Sequence, residues 1–218
     1  MTYTGHVDPG GAAAVRELPH LVISKISVGP MDNNSYLLRC RRTGEQVLID
    51  AAADPARLLD LIGPDGIAAV ITTHRHRDHW GALAAVVAAT GATTVAHADD
   101  AEAIDPPTVT AVRNGDELFV GDAALKVIHL VGHTPGSIAL AYDDPEGHAH
   151  IFTGDSLFPG GIGNTFGDPG AFEQLLTDVS ERIFSRYPDT TWVYPGHGDD
   201  TTLGAERAQL DEWAQRGW

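Results

Sequence analysis

The sequence predicts a mixed α/β layered sandwich. Short apolar segments rich in β-branched residues alternate with segments whose apolar residues recur at helical spacing. Apolar residues make up 43% of the 218 residues and charged residues 20%, which is ordinary for a globular domain. No internal repeat or linker divides the chain. We therefore expect one folded domain over residues 21–218, preceded by a flexible lead-in over residues 1–20.

The first half of the chain contains five predicted strands and two predicted helices. Turn-forming residues from Gly29 to Asn34 separate the first two strands, and Asp54 followed by Pro55 is typical of a helix start. The apolar run over 67–72 indicates a strand that is buried on both faces. The predicted strands cover residues 21–28, 35–39, 46–49, 67–72 and 93–96, and the helices cover residues 55–62 and 83–90.

The second half contains predicted strands that lead to a long helix, a further strand and a last helix. The predicted strands cover residues 117–120, 124–130, 137–142, 150–153 and 192–194, and the helices cover residues 171–186 and 204–215. Each cluster of histidine and aspartate follows a predicted strand. Loops at strand ends are where α/β scaffolds usually place their chemistry.

Composition excludes several classes of function. The formal charge of −16 argues against a nucleic-acid partner, because binding phosphates requires clustered lysine and arginine. No apolar run is long enough to cross a membrane, and the first twenty residues lack the apolar stretch of a secretory signal. The single cysteine, Cys40, excludes an internal disulfide. We expect a cytoplasmic protein that acts on a small molecule, and the sequence leaves its oligomeric state open.

The strongest chemical motif is His74-Arg-His76-Arg-Asp78-His79. In an extended segment, residues two apart point to the same side, so His74, His76 and Asp78 are expected to share one side. The turn into the following helix can bring His79 to the same cavity. Imidazole and carboxylate ligands together suit zinc, iron or manganese. The segment therefore predicts a metal site.

Three later motifs each place one more ligand-type side chain beside glycine. They are Gly-His-Thr-Pro-Gly around His133, Thr-Gly-Asp-Ser around Asp155, and Pro-Gly-His-Gly around His197. Glycine lets the backbone approach a ligand closely and adopt positive φ. We expect these three residues to complete the metal site.

The ordered series resembles the H-x-H-x-D-H motif, followed by a distant His, Asp and His, of the metallo-β-lactamase superfamily, whose fold is an αββα four-layer sandwich. Within it, residues 153–158 with the glycine-rich loop that follows, and residues 195–198, are similar to the glyoxalase II-like thioester hydrolases. The resemblance covers residues from about 21 to 218. It implies two divalent metal ions, with zinc expected and iron or manganese as alternatives.

The resemblance also implies how the ligands divide. The first ion would be bound by His74, His76 and His133, and the second by Asp78, His79 and His197, with Asp155 bridging the two. Asp78 and Asp155 are also the candidate catalytic residues. A hydroxide that bridges the ions would attack a thioester carbonyl, because two close ions lower the pKa of bound water. The thiolate that leaves needs little protonation.

Two departures from glyoxalase II bear on the substrate. Asn164 stands where that family usually has arginine, and only about one helix follows His197, whereas glyoxalase II proper carries a C-terminal helical extension that holds glutathione. Whether the thiol is glutathione therefore stays open, with another small thiol or a different acyl substrate as the alternatives. The loop from Pro159 to Gly170 is a candidate rim for the substrate, with a plain surface loop as the alternative.

Other functions stay open at this point. Persulfide dioxygenases share the fold and keep the equivalents of His74, His133 and Asp155 on a single iron. Lactonases, β-lactamases and other small-substrate hydrolases of the superfamily are further alternatives, as is a non-catalytic interaction module. We expect core or edge packing for Cys40, and solvent-facing or hydrogen-bonded structural roles for the remaining histidines at positions 6, 20, 97, 129, 148 and 150.

Overall fold

Two large β-sheets face each other in the computed structural model, which describes residues 3–217. The first sheet has seven strands whose spatial order equals their order in the chain. They are β1 (Ala14–Glu17), β2 (Leu21–Val28), β3 (Asn33–Cys40), β4 (Gln46–Ile49), β5 (Ala69–Ile71), β6 (Thr93–His97) and β7 (Thr110–Val112). Strands β1 to β4 are antiparallel, and the pairs from β4 to β7 are parallel.

The second sheet has six strands in the spatial order β15-β14-β11-β10-β9-β8. They are β8 (Glu117–Val120), β9 (Ala123–His129), β10 (Ile138–Asp143), β11 (Ala149–Gly154), β14 (Trp192–Pro195) and β15 (Thr201–Thr202). Strands β11 and β14 are parallel, and the other pairs are antiparallel. A separate hairpin joins β12 (Leu157–Phe158) to β13 (Gly161–Ile162).

Within residues 3–217, five α-helices cover the outer faces of the sheets. They are α1 (Pro55–Ile62), α2 (Leu83–Thr90), α3 (Pro169–Val179), α4 (Leu203–Arg207) and α5 (Leu210–Arg216). The buried side chains of α1 and α2 pack against the first sheet. Those of α3, α4 and α5 pack against the second sheet. The four layers confirm the expected αββα sandwich.

Alternation along each strand divides the core into three parts. In β3, Leu37 faces the helices of its own side whereas its neighbour Leu38 faces the opposite sheet. In β9, Val127 faces the space between the sheets and Ile128 faces α3. Successive side chains of a strand point to opposite faces, so strands buried on both faces read as continuous apolar runs.

The N-terminal residues differ from the flexible lead-in that we expected. Strand β1 pairs with β2, and Leu18 is buried in the core between the sheets. Ahead of β1, the buried ammonium of Lys25 donates to the backbone oxygen of Gly5 at 2.7 Å. Polar composition misled the prediction, because these residues are held by backbone pairing and by a buried cation rather than by an apolar stretch of their own.

Several element ends also differ from prediction. The long helix begins at Pro169 because the Asp168 carboxylate caps it by accepting from the N–H groups of Gly170 and Ala171. It then passes into a π-helical turn, Ser180–Phe184. The predicted last helix is two helices, α4 and α5. Asp54 caps nothing with its side chain, which instead accepts the Gly29 N–H at 3.0 Å. Among residues 3–217, no helix has the length and apolar character needed to cross a membrane.

Candidate metal centre

The predicted ligands meet at one end of the sandwich, in loops that follow β5, β9, β11 and β14. Hydrogen bonds from strand ends of each sheet to loops of the other hold these loops in place. The Asn34 N–H donates to Gly196 O at 2.7 Å, and the Ile138 N–H donates to Thr73 O at 2.9 Å. The prediction that ligand clusters follow strands therefore matches the structure, which brings all seven predicted residues into one cavity.

The segment after β5 turns earlier than expected. It is not a strand, and a 3₁₀ turn, Arg77–His79, follows His76 directly. Two-residue alternation therefore does not run through Asp78 as we expected. The turn instead directs both Asp78 and His79 toward the loop that carries His197. Local backbone hydrogen bonds, such as His79 N–H to His76 O at 3.0 Å, favour the turn over an extended chain.

The side chains form two groups of three. In the first, His133 Nε2 lies 2.9 Å from His76 Nδ1 and 3.3 Å from His74 Nε2. In the second, His197 Nε2 lies 3.2 Å from His79 Nε2, and Asp78 Oδ2 lies 3.4 Å from both of those nitrogens. Both groups bring one ligand atom from each residue within 4.8 Å of the others.

Asp155 lies between the two groups. Its Oδ2 is 3.5 Å from His133 Nε2 and 3.4 Å from His197 Nε2, and its Oδ1 is 3.3 Å from His79 Nε2. Oδ1 is buried and accepts no hydrogen bond of good geometry. A Cβ atom at Gly196 would lie 2.2 Å from this oxygen and 2.7 Å from His79 Cε1, so a larger residue at position 196 would displace two predicted ligands. The carboxylate can therefore reach both groups.

The outer nitrogens of three histidines donate to protein oxygens, which turns their Nε2 atoms toward the cavity. His133 Nδ1 lies 2.8 Å from Asn164 O, His79 Nδ1 lies 2.8 Å from Asp50 Oδ2, and His197 Nδ1 lies 2.9 Å from Met31 O. Metal-binding histidines typically donate their other N–H in this way, which fixes the tautomer and the ring orientation.

Charge in the cavity is divided between the two groups. Burial holds the pKa of His74, His76 and His133 below the ordinary histidine value. Burial also lowers the pKa of His79 and His197. The carboxylates of Asp50, Asp78 and Asp155 outweigh this effect and raise the pKa of those two histidines to about 10. The second group therefore favours positive charge, which bound protons or a cation can supply.

The donor set fits divalent metal ions. Imidazole nitrogens and carboxylate oxygens are ligands of zinc, iron and manganese. Ring nitrogens 2.9 to 3.3 Å apart can present converging lone pairs, and the outer nitrogens of His79, His133 and His197 already donate to protein oxygens. The unpaired Asp155 Oδ1 offers a further lone pair to the same space. One ion in each group would satisfy these atoms, with Asp155 available to both.

Backbone strain is concentrated around this cavity. Among residues 3–217, four residues other than glycine have positive φ, and three of them lie beside the predicted ligands: Asp32, Asp50 and Phe166. The backbone oxygen of Asp32 accepts the Gly198 N–H next to His197, and Asp50 binds His79. Such conformations cost about 1–3 kcal/mol each and are commonly found at functional sites.

Sequence reasoning missed the residues that support the ligands. Asp50, which follows β4, also accepts from the backbone N–H and the hydroxyl of Thr73. A carboxylate at the end of a buried strand could have indicated it. The Asn33 amide donates to Asp78 Oδ2 at 2.8 Å. Nothing in its local sequence distinguishes Asn33 from an ordinary turn residue.

The other histidines have protein partners. His97 and His129 lie near Asp99, but their rings are stacked 3.8 Å apart. His97 Nδ1 accepts the Asp99 N–H, and His129 Nε2 donates to Pro135 O. The lone pairs of stacked rings do not converge on one point, so we interpret this group as structural. Cys40 is buried between the sheets, which confirms its predicted packing role.

Asp100 joins the two loops that carry the first group. Its carboxylate is 1% exposed and accepts the Arg75 N–H at 2.9 Å, between His74 and His76. It also accepts the Thr134 hydroxyl at 2.5 Å and the Gly136 N–H at 2.9 Å, just after His133. We expect Asp100→Asn to weaken metal binding by the first group about 10-fold to 100-fold, because the amide turns one acceptor into a donor. Competition with a chromophoric chelator measures this affinity.

The neighbouring carboxylate of Asp99 provides the control. Its side chain is 59% exposed. Asp99→Asn removes the same charge without touching the loop hydrogen bonds, so its metal affinity should match that of the unaltered chain. Equal weakening by both substitutions would show that net charge, rather than loop position, explains the effect.

Comparisons with known proteins find a matching family model, similar sequences and similar structures. A family model described as the metallo-beta-lactamase superfamily matches residues 28–197, which include all seven predicted ligands. A hydroxyacylglutathione hydrolase from Polaromonas sp. is 35% identical over 181 residues, which cover 81% of this chain and 66% of the relative. The chain thus spans slightly less than two thirds of that relative's length.

Two solved structures are similar over most of both chains. ETHE1 from Myxococcus xanthus is 30% identical with a TM-score of 0.77, and the match covers 88% of this chain and 84% of that one. A di-iron-bound form of the protein TTHA1623 is 33% identical with a TM-score of 0.69, covering 84% of this chain and 96% of that one.

Proposed function

Because this chain belongs to the metallo-beta-lactamase superfamily, we propose that it is a metal-dependent hydrolase with a dinuclear site that cleaves the thioester of a small thiol. The glyoxalase II-like resemblance of its motifs is confirmed by the hydroxyacylglutathione hydrolase relatives. The observation that carries the proposal is Asp155, whose carboxylate lies within 3.5 Å of nitrogens from both histidine groups.

The proposal assigns a role to each predicted ligand. His74, His76 and His133 hold the first ion, and Asp78, His79 and His197 hold the second, while Asp155 serves both. Zinc is the expected metal, and iron and manganese are the alternatives. The similarity to a protein solved in a di-iron-bound form keeps iron among them.

Bound divalent ions would supply a water of lowered pKa and would polarise the substrate carbonyl. The chain's own residues prepare the site for this chemistry. Burial opposes ionisation of Asp78 and Asp155, yet the neighbouring histidines hold the pKa of both carboxyls below the usual range, so both stay ionised. The Asn33 amide orients Asp78, and the acceptors behind His79, His133 and His197 fix their rings.

The lining of the adjoining groove favours a thioester over an ester or amide. A groove of about 590 Å³ beside His197 is lined by Met31, Asp32, Phe158, Pro159, Gly198 and Asp199. These residues include no lysine, arginine or tyrosine that could protonate a leaving group. A thiol has a pKa of about 8.5, so a thiolate departs without a strong general acid.

A single-iron persulfide dioxygenase is the second candidate. It needs only His74, His133 and Asp155, and these residues lie together. His74 Nε2 is 3.3 Å from His133 Nε2 and 4.0 Å from Asp155 Oδ2. Such an activity would leave the second group without an ion, so the number of ions separates the two candidates.

Metal analysis of the native protein tests the proposal. The chain is purified without chelators or metal-affinity resin, and bound metals are measured by plasma mass spectrometry. About two ions per chain, with turnover on a panel of 2-hydroxyacyl thioesters, would support the hydrolase. One tightly held iron that zinc does not supplement, with oxygen uptake on a thiol persulfide, would support the dioxygenase.

Asp78→Ala should empty the second position and leave the first occupied. Asp78 Oδ2 lies 3.4 Å from the Nε2 atoms of His79 and His197, and Asp78 is not one of the three residues of the first group. Loss of one of the four ligands of the second position, Asp155 included, and of the Asn33 contact should reduce the stoichiometry to about one ion per chain. Plasma mass spectrometry after dialysis measures it.

Asp65→Ala is the matched control, because its carboxylate is 64% exposed. It should keep both ions. Retention of two ions by Asp78→Ala would show that our division of the ligands is wrong.

We further propose that the substrate is a small molecule and that nucleic acids are not partners. The charge of −16 supports this, since phosphate binding requires clustered cations. The cytoplasmic location stays a prediction.

A further inference from the structure

Phe166 is exposed at the mouth of the metal cavity. Its side chain is 68% exposed, although phenylalanine ordinarily gains stability from burial. Its ring centroid lies 5.7 Å from that of His76 and 5.8 Å from that of His133. The ring thus flanks two of the residues assigned to the first ion, where a substrate held at that ion would pass.

The backbone holds Phe166 in a costly conformation. Its φ is +57°, in the left-handed region that glycine and asparagine tolerate and aromatic residues rarely adopt. The Asn164 side chain accepts the Phe166 N–H at 2.8 Å, and the Asn164 backbone oxygen accepts from His133 Nδ1. Asn164 therefore fixes the aromatic residue and a metal-site histidine together.

The surrounding loop is anchored on both sides of Phe166. Ile162 and Thr165 are buried, and the Asp168 N–H donates to Thr165 O at 3.0 Å before Asp168 caps α3. Glycine stands at the next position, Gly167, where φ is also positive. For folding alone, glycine or asparagine would suit position 166 better, because each adopts positive φ with less strain and exposes less apolar surface. A role in binding accounts for both the strain and the exposure.

We propose that Phe166 is a specificity-determining residue that selects substrates with an apolar acyl group; the inference rests on the thioester hydrolase function proposed above. The groove on the opposite side, beside His197, is lined by Met31, Phe158 and Pro159 together with the carboxylates of Asp32 and Asp199, so it can take a thiol half that has both apolar and polar groups. The Phe166 ring then offers an apolar surface to the acyl chain at the first ion.

Two acyl lengths on one thiol test the inference. For the unaltered enzyme, kcat/KM should be higher for a hexanoyl than for an acetyl thioester. Phe166→Asn removes the ring and keeps a residue that tolerates positive φ. It should lower kcat/KM at least about tenfold for the hexanoyl thioester and less than about twofold for the acetyl thioester, because apolar contacts of a few methylenes discriminate by tenfold or more. Phe166→Tyr keeps the ring and should retain the preference.

Phe119→Asn provides the control, because Phe119 is also an exposed phenylalanine, in β8. It should leave both rates unchanged. The melting temperature of Phe166→Asn should not fall, since the loop loses a strained residue rather than a packed one. An unchanged acyl preference in Phe166→Asn, or an equal loss of preference in Phe119→Asn, would overturn the inference.

A binding measurement separates this inference from the proposed function. Titration calorimetry of the metal-loaded protein with hexanoate and with acetate needs no turnover. Tighter binding of hexanoate that Phe166→Asn abolishes would support the selecting role even if no thioester were hydrolysed, in which case only the proposed reaction would fail. Equal binding of both carboxylates by the unaltered protein would overturn the selecting role.

Discussion

Asp155→Ala is expected to remove both metal ions and to reduce turnover by about 10³-fold or more. A single carboxylate lies within 3.5 Å of nitrogens from both groups, so its loss deprives each of an anionic ligand. The cavity then keeps Asp78 as its remaining ligand carboxylate. Metal ions stabilise transition states by several kcal/mol, and each 1.36 kcal/mol corresponds to tenfold in rate. Metal analysis and steady-state kinetics on the same preparation measure both effects.

The substitution should leave the fold intact, because the Asp155 side chain faces the two histidine groups and its buried Oδ1 makes no hydrogen bond to a strand. The melting temperature of the chelator-treated variant should therefore resemble that of the chelator-treated parent. Asp65→Ala, at an exposed loop, should retain metal and turnover. Full occupancy of both positions in Asp155→Ala would refute the shared role of this carboxylate.

Asp200→Ala should have the largest effect on stability, with a loss of about 3–5 kcal/mol in the free energy of unfolding. The Lys25 ammonium lies 2.7 Å from Asp200 Oδ1, and both side chains are fully buried. Burial raises the pKa of Asp200 even with Lys25 beside it, so the pair itself adds little net stability. Removing one partner nevertheless leaves a buried charge uncompensated. Denaturation by urea measures the loss.

The Asp200 carboxylate also accepts the Tyr3 hydroxyl at 2.7 Å and the Trp192 indole N–H at 2.9 Å. These donors would lose their partner in the alanine variant. Glu17→Gln is the control, because its pair with Arg41 is exposed and such pairs contribute about 0–1 kcal/mol. A loss below about 1 kcal/mol in Asp200→Ala would show that water reaches Lys25 and replaces the carboxylate.

The ligand residues could be predicted because they recur in a fixed order and beside glycine. The residues behind them could not. Asp100 belongs to a polar loop after β6, and its role depends on two loops that are distant in sequence. Asn33 begins β3, and only its pairing with His197 brings its amide to Asp78. Contacts of this kind depend on tertiary structure and leave no local periodicity.

Predicted elements matched best where apolar periodicity was strong. The bounds of β2, β4, α1 and α2 agree with the prediction. Strand β1 was missed because its burial alternates between partial and exposed, and β15 because two residues are too few to show a period. The prediction of one helix over residues 204–215 missed the break at residues 208–209. Neither glycine nor proline stands there to indicate it.

The origin of the ligands has a mechanical consequence. Four of them follow β5 of the first sheet, and the other three follow strands of the second sheet. Ions bound by ligands from both sheets would hold the two halves of the sandwich together. In many small proteins a disulfide has this role, which the single cysteine cannot have here. A ligand at a thousand times its Kd adds about 4 kcal/mol to folding stability. Loss of the metal ions would thus weaken the packing of the two sheets against each other at one end and also abolish the activity of the site.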